Sequence, residues 1–154
     1  MATMVWLTAL LAAKSWRDLT ILFTMFAAGQ IVAALFAGSI TLTLSPRFIE
    51  AAGALTIAYL AVEVLVLPNA GGRWVVAGVL GLFHGVYFSM LLVGGDYRPG
   101  PYLAGAIFAE ATILIALRFC ERLIRPRFAI PFQRVFAGLL LAVGIAWFLI
   151  RLKD

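Results

Sequence analysis

Charge is scarce in this chain. Asp, Glu, Lys and Arg make up 12% of its 154 residues, against about 25% in an ordinary soluble domain. Apolar residues make up 64%, and the mean hydropathy is +1.07. That balance excludes a soluble globular fold. It also excludes a disordered chain, which needs low hydrophobicity and high charge. Cysteine occurs once, at Cys120. One chain therefore cannot build a disulfide framework or a cysteine-rich zinc or iron–sulfur site. Histidine also occurs once, at His84. A two-histidine metal centre or a bis-histidine haem is out of reach for a single copy. No Walker loop or dinucleotide fingerprint is present, and one histidine deep in an apolar run supports no Ser-His-Asp arrangement. An enzyme is not expected. The net charge of +5 comes without a basic run interleaved with aromatics, so nucleic acid is not an expected partner.

What the sequence has is apolar runs. Six occur, at residues 3–13, 19–44, 48–67, 74–93, 101–119 and 132–152. A transmembrane helix takes about 20 residues, so the chain is read as one domain over 1–154, an all-α membrane protein with a compact bundle of about six transmembrane helices. The number falls to five if the short first run does not span. That run could instead be a signal-peptide core, but no positive charge precedes it and Lys14 follows it. Pro68-Asn-Ala-Gly-Gly72, Gly94-Gly-Asp96, Pro99-Gly-Pro101 and Pro126 fall between the runs as breakers, and Ser45-Pro46 separates the second from the third. The runs are continuous rather than alternating, which argues against a β-barrel. No internal repeat is visible between the halves.

Of the twelve Lys and Arg residues, those after the first, third and fifth spans are Lys14, Arg17, Arg73, Arg118, Arg122, Arg125, Arg127 and Arg134. Arg47, Arg98, Arg151 and Lys153 fall on the other side. The positive-inside rule places the larger set in the cytoplasm. The expected location is a bacterial inner membrane, with the lipid bilayer as the first partner. Trp6, Trp16, Trp74 and Tyr97 sit near span ends, where interfacial aromatics belong. Small residues recur at four-residue spacing: Ala77, Gly81, Gly85 and Ser89 in the fourth run, Gly29, Ala33 and Ala37 in the second, and Gly138, Ala142 and Ala146 in the last. Such stripes let helices approach closely in lipid. They serve ordinary packing or self-association and carry no chemistry of their own.

The informative residues are polar groups inside spans, because an ionisable group at mid-span costs about 2.5–3.5 kcal/mol even on insertion scales. His84, Glu63 and Glu110 qualify, with Gln30 near the middle of its run. His84 lies about ten residues into its span, hence about 15 Å deep, and Gly81 and Gly85 flank it. Imidazole suits nickel, zinc, copper or iron; it also ligates haem or chlorophyll. Thr56, Tyr59 and Glu63 lie at helical spacing and form one polar stripe, in which Tyr59 could donate to Glu63. Either Glu63, His84 and Glu110 converge on one cation or proton site, or they are three separate contacts that fix the packing. Asp18, Glu50, Asp96, Glu121 and Asp154 lie near span ends and read as solvated or interfacial. The Arg118, Arg122, Arg125 and Arg127 cluster reads as snorkelling anchors against anionic lipid.

Three stretches carry a resemblance. Ser45-Pro-Arg-Phe-Ile-Glu-Ala with Leu55-Thr-Ile-Ala-Tyr-Leu-Ala-Val-Glu63, then Gly81-Leu-Phe-His-Gly-Val-Tyr-Phe-Ser89, then Phe108-Ala-Glu110, are together similar to the HupE/UreJ family over about residues 6–122. That family consists of small membrane proteins linked to hydrogenase and urease maturation and regarded as permeases for nickel or another divalent cation. The resemblance implies a metal site at Glu63, His84 and Glu110, with Gln30 standing where a second-span histidine is expected and Thr56 and Tyr59 in support. It departs at the family's first-helix motif of two histidines and an aspartate. Met4-Val-Trp6 matches only the end of that motif, so the sequence is expected to be shortened at its N-terminus. An asparagine before the fifth-span glutamate is also missing. Two roles follow. One is a divergent divalent-cation permease with weaker, less selective binding. The other is a non-transporting accessory subunit that packs against neighbouring subunits, lipids or pigments, with His84 available to haem or chlorophyll.

Overall fold

The computed structural model describes residues 13, 15–36, 45–67, 71–92, 99–124 and 132–153. Among these residues five helices are long and apolar enough to cross a membrane: α1 (Trp16–Phe36), α2 (Pro46–Val66), α3 (Arg73–Leu92), α4 (Pro99–Ile124) and α5 (Phe132–Lys153). No strand occurs among them. The first apolar run, Ala37, Asp96, Tyr97, Arg98, Arg125 and Arg127 lie outside the described residues, Ala13 excepted.

Caps explain where the helices begin. Ser15 and Asp18 form a reciprocal box: the Asp18 amide donates to Ser15 Oγ and the Ser15 amide to Asp18 Oδ2, both at 3.1 Å. α1 thus begins three residues before its apolar run. Ser45 caps α2 by accepting from the Phe48 amide at 3.2 Å, with Pro46 in the first turn. Pro99, Gly100 and Pro101, read as a break, instead form the first turn of α4. The opening positions of a helix need no N–H donor, so proline is tolerated there. The same helix runs past Phe119 to Ile124, where Arg118 and Glu121 pair across one turn at 2.5 Å.

The helices run alternately up and down, as cross-links between their ends require. Trp16 meets Phe119, Glu63 meets Arg73, and Glu50 meets Arg151. α1 lies along α3, and α2 lies along α5. α2 also touches α3 and joins the two pairs, while α4 approaches the rest mainly through α1. The core is Leu19, Leu22 and Phe26 of α1, Ile57, Leu60 and Ala61 of α2, Ala77 and Leu80 of α3, Leu114 of α4, and Ala137 and Leu140 of α5. Large apolar side chains also cover the outside, among them Leu35, Val66, Phe108, Phe119 and Leu152. That apolar exterior is what a lipid-solvated bundle needs.

The α1–α3 seam is a backbone contact. A Cβ on Gly81 would overlap the Phe26 carbonyl, and one on Gly85 would overlap the Gln30 carbonyl and the Ala33 methyl. Only glycine permits this approach, so the expected Ala77, Gly81 and Gly85 stripe is a packing face. Ser89 continues it less tightly and turns its hydroxyl to the Val86 carbonyl. The α5 stripe does not pack within the bundle. Ala142 and Ala146 are exposed, and nothing lies within 4 Å of a Cβ on Gly138. α5 packs instead through Ala137, Leu140 and Gly144, because Gly144 lies against the Ala54 carbonyl and Ala58 of α2.

Candidate functional site

The α1–α3 seam sets the site. It brings Gly85, the neighbour of His84 in sequence, onto the backbone of Gln30. Gln30 and His84 both line a cavity of about 510 Å³ that α4 closes with Ala106, Ala109, Glu110 and Ile113. α2 adds Ile49, Glu50 and Gly53, and α5 adds Trp147. All five helices therefore reach one pocket. The wall is mainly apolar, with a few polar groups projecting into it, which is the usual build of a small-ligand site.

Gln30 and Glu110, 80 residues apart in sequence, meet in this pocket. Gln30 Nε2 donates to Glu110 Oε1 at 3.5 Å. A carboxylate only accepts, so the amide must turn its nitrogen toward Glu110 and its oxygen away. Gln30 Oε1 and Glu110 Oε2 are then both buried without a hydrogen-bond partner. Leaving such an acceptor unsatisfied costs about 1–3 kcal/mol, and two at one place call for a water, a donor or an ion. The His84 ring lies tilted on Phe26, with centroids 5.2 Å apart. No described residue hydrogen-bonds that ring. The donor set is thus one imidazole nitrogen, one carboxylate and one amide oxygen. Among the described residues, no three His, Cys, Asp or Glu side chains are grouped as metal ligands.

Glu63 stands apart from this group. It is 6% exposed and accepts from Arg73 Nε at 3.0 Å. The same guanidinium donates to the Leu67 carbonyl at 2.9 Å, so the pair fastens the α2–α3 turn. Helix geometry explains the separation. Thirteen residues divide Glu63 from Glu50, which puts them about 20 Å apart along α2 and about 140° apart around it. Glu50 lines the pocket; Glu63 is at the other end and on another face. The supporting stripe separates as well. Thr56 donates to the Ala52 carbonyl of its own helix at 2.7 Å, and Tyr59 is 55% exposed.

Several residues in the pocket or bonded to it were not singled out by sequence. Glu50, expected to be interfacial, is half-buried. Tyr87 donates to its Oε1 at 3.5 Å, and Arg151 Nε lies 2.6 Å from its Oε2. Arg151 also lies over the Trp147 ring, 5.9 Å from the centroid. A signal for Glu50 was available: it shares a helical face with the buried Gly53, Ala54 and Ile57. Tyr87 and Arg151 gave none, because their roles depend on which helices adjoin.

At the opposite end of the bundle, Arg118 is buried, and Arg118 and Arg122 both lie over the Trp16 ring, 5.8 and 5.5 Å from its centroid. This basic cluster anchors α4 to the start of α1.

The fold and pocket define a polytopic α-helical membrane protein with polar side chains buried between its spans. The chain belongs to the HupE/UreJ family, whose model, HupE / UreJ protein, matches residues 3–97. Gln30, Glu63 and His84 lie within the matched segment, and Glu110, Trp147 and Arg151 lie beyond it. That membership is consistent with a membrane accessory or transport protein. No curated protein and no solved structure matches the chain.

Proposed function

We propose that this chain carries a divalent cation of the nickel class across the bilayer, and that Gln30, His84 and Glu110 bind it on the way. The observation that carries this function is the pair of buried, partnerless oxygens, Gln30 Oε1 and Glu110 Oε2, in the same pocket as the only imidazole. Membership of the HupE/UreJ family supports it. Imidazole and oxygen donors together suit nickel among the divalent ions. His84 supplies a nitrogen ligand when unprotonated, so cation and proton compete for it. Glu110 supplies negative charge, and Gln30 a neutral oxygen. So few protein ligands leave coordination positions to water, and the cation binds weakly enough to leave. Glu63, Thr56 and Tyr59 are not ligands here; Glu63 holds the bundle through Arg73.

Reconstituted vesicles test this function. The full chain is placed in liposomes loaded with a nickel-quenched dye, and the initial quenching rate is compared with that of empty liposomes. Wild type is expected to exceed the empty control, and His84→Ala and Glu110→Gln to fall about tenfold or more, the loss of one good charged ligand contact. A wild-type rate equal to the control would end the permease proposal and leave an accessory subunit of a larger membrane assembly. The absorbance spectrum of the same preparation tests the pigment alternative, since a tetrapyrrole on His84 would give an intense near-ultraviolet band that His84→Ala removes.

A further inference from the structure

The pocket holds a second carboxylate that the proposed ligand set does not use. Glu50 enters from α2 and is gripped by two other helices, by Tyr87 of α3 and by Arg151 of α5. Arg151 is close to the carboxylate in distance, yet its Nε makes no well-aligned hydrogen bond there. The contact is therefore mainly one of charge. The Arg151 side chain is 31% exposed, near the end of α5 and over Trp147, which lines the same pocket. A long basic side chain placed there can swing to the membrane surface without dragging its helix.

We propose that Glu50 is the second cation carboxylate of this pocket and that Arg151 occupies it as a tethered counter-cation, which an entering divalent ion displaces. This rests on the proposed transport function. Charge balance gives the reason. With Arg151 on Glu50, only Glu110 faces an incoming divalent ion, and one positive charge is left over inside an apolar bundle. With Arg151 released, Glu50 and Glu110 together neutralise the ion. Excess charge buried in a span is costly, so binding and release of Arg151 are coupled. The exchange also works in reverse. When Arg151 returns to Glu50 it competes with the ion and promotes its departure, so the pocket does not become a trap. Tyr87 stays with Glu50 in both states and keeps the carboxylate pointed into the cavity.

The test is equilibrium binding of radioactive nickel(II) to the full chain in nanodiscs. Arg151→Gln is expected to tighten binding about tenfold, within the usual range of coupling between two sites. Arg151→Lys retains the tethered charge and is expected to stay within about twofold of wild type on the same scale. The double variant Glu50→Gln with Arg151→Gln removes both charges and is expected to lose the whole gain. It also leaves no unpaired carboxylate, so it keeps the test open if Arg151→Gln alone does not fold. In that case tight binding by the double variant would overturn the proposal, and binding no tighter than wild type would support it. Unchanged or weaker binding by a folded Arg151→Gln would overturn it as well. The transport function fails separately: it falls if liposomes holding the wild-type chain quench no faster than empty ones, whatever Arg151→Gln does to binding.

Discussion

The α1–α3 seam and α4 contribute to the same pocket by opposite means. At the seam, two backbones touch through Gly81 and Gly85, with no side chain between them. Gln30 and His84 are fixed there by the path of the main chain. α4 has few neighbours along its length. It brings Glu110 in through one hydrogen bond to Gln30 and a handful of buried side chains, Leu103, Leu114 and Arg118 among them. One half of the site is thus built into the scaffold, and the other half is brought to it by a helix with little else to hold it. The proposed carrier function needs that asymmetry, because a pocket whose walls were all seams could bind but not open.

The largest expected effect breaks the seam. Gly81→Val with Gly85→Val places methyls where the Phe26 and Gln30 carbonyls lie. Over-packing costs about 1–3 kcal/mol at each site, and here backbone rather than a flexible side chain must yield. The double variant is expected to lose the folded state, seen as loss of a monodisperse peak in detergent. A stable, monodisperse double variant would show that α1 and α3 are not in contact.

Next is the ion pair at the far end. Arg73→Ala leaves the Glu63 carboxylate buried and unpaired, which costs about 3–5 kcal/mol, measured by unfolding in mixed micelles of denaturing detergent. The double change Glu63→Gln with Arg73→Gln is expected to recover much of that loss and to leave nickel transport intact. Transport lost in a folded double variant would return Glu63 to the cation path.

The expectations that held in the sequence are those that depend on one helix at a time. The second to sixth apolar runs located the five described spans, and the glycines around His84 marked a close approach before any partner helix was known. What the sequence left open was convergence. Glu63, His84 and Glu110 were equivalent as deep polar residues, and depth alone cannot tell which faces adjoin. Helical phase within α2 already separates Glu50 from Glu63, but choosing between them requires knowing that α5 brings Arg151 to one end and the α2–α3 turn brings Arg73 to the other. Which face of α5 packs within the bundle was hidden for the same reason. Gly138, Ala142 and Ala146 have the spacing of a packing face, and only the position of Ala54 and Ala58 selects Gly144 instead.

A smaller effect separates function from stability at α4. Glu110→Gln keeps the shape of the side chain and its link to Gln30 while removing the charge. Stability is expected to change by no more than about 0.5 kcal/mol, while transport falls about tenfold, the effect of one charged ligand contact. Equal losses in both would make Glu110 a packing residue and α4 a structural strut.

The smallest effect tests the choice of face on α5. A Cβ on Gly144 would sit 3.1 Å from the Ala54 carbonyl and 3.2 Å from the Ala58 methyl, so Gly144→Ala must push α5 away from α2. Over-packing of this kind costs about 1 kcal/mol or more. Gly138 has open space around it, and alanine there restricts the unfolded chain without meeting anything. Gly138→Ala is therefore expected to be neutral or to stabilise by about 0.4–1 kcal/mol. The two substitutions add the same methyl to the same helix six residues apart, so helix propensity cancels in their difference and only the neighbouring surface remains. If Gly138→Ala costs more than Gly144→Ala, α5 presents to the bundle the face suggested by its small-residue spacing. Arg151, seven residues and about two turns beyond Gly144, would then turn away from Glu50 as well.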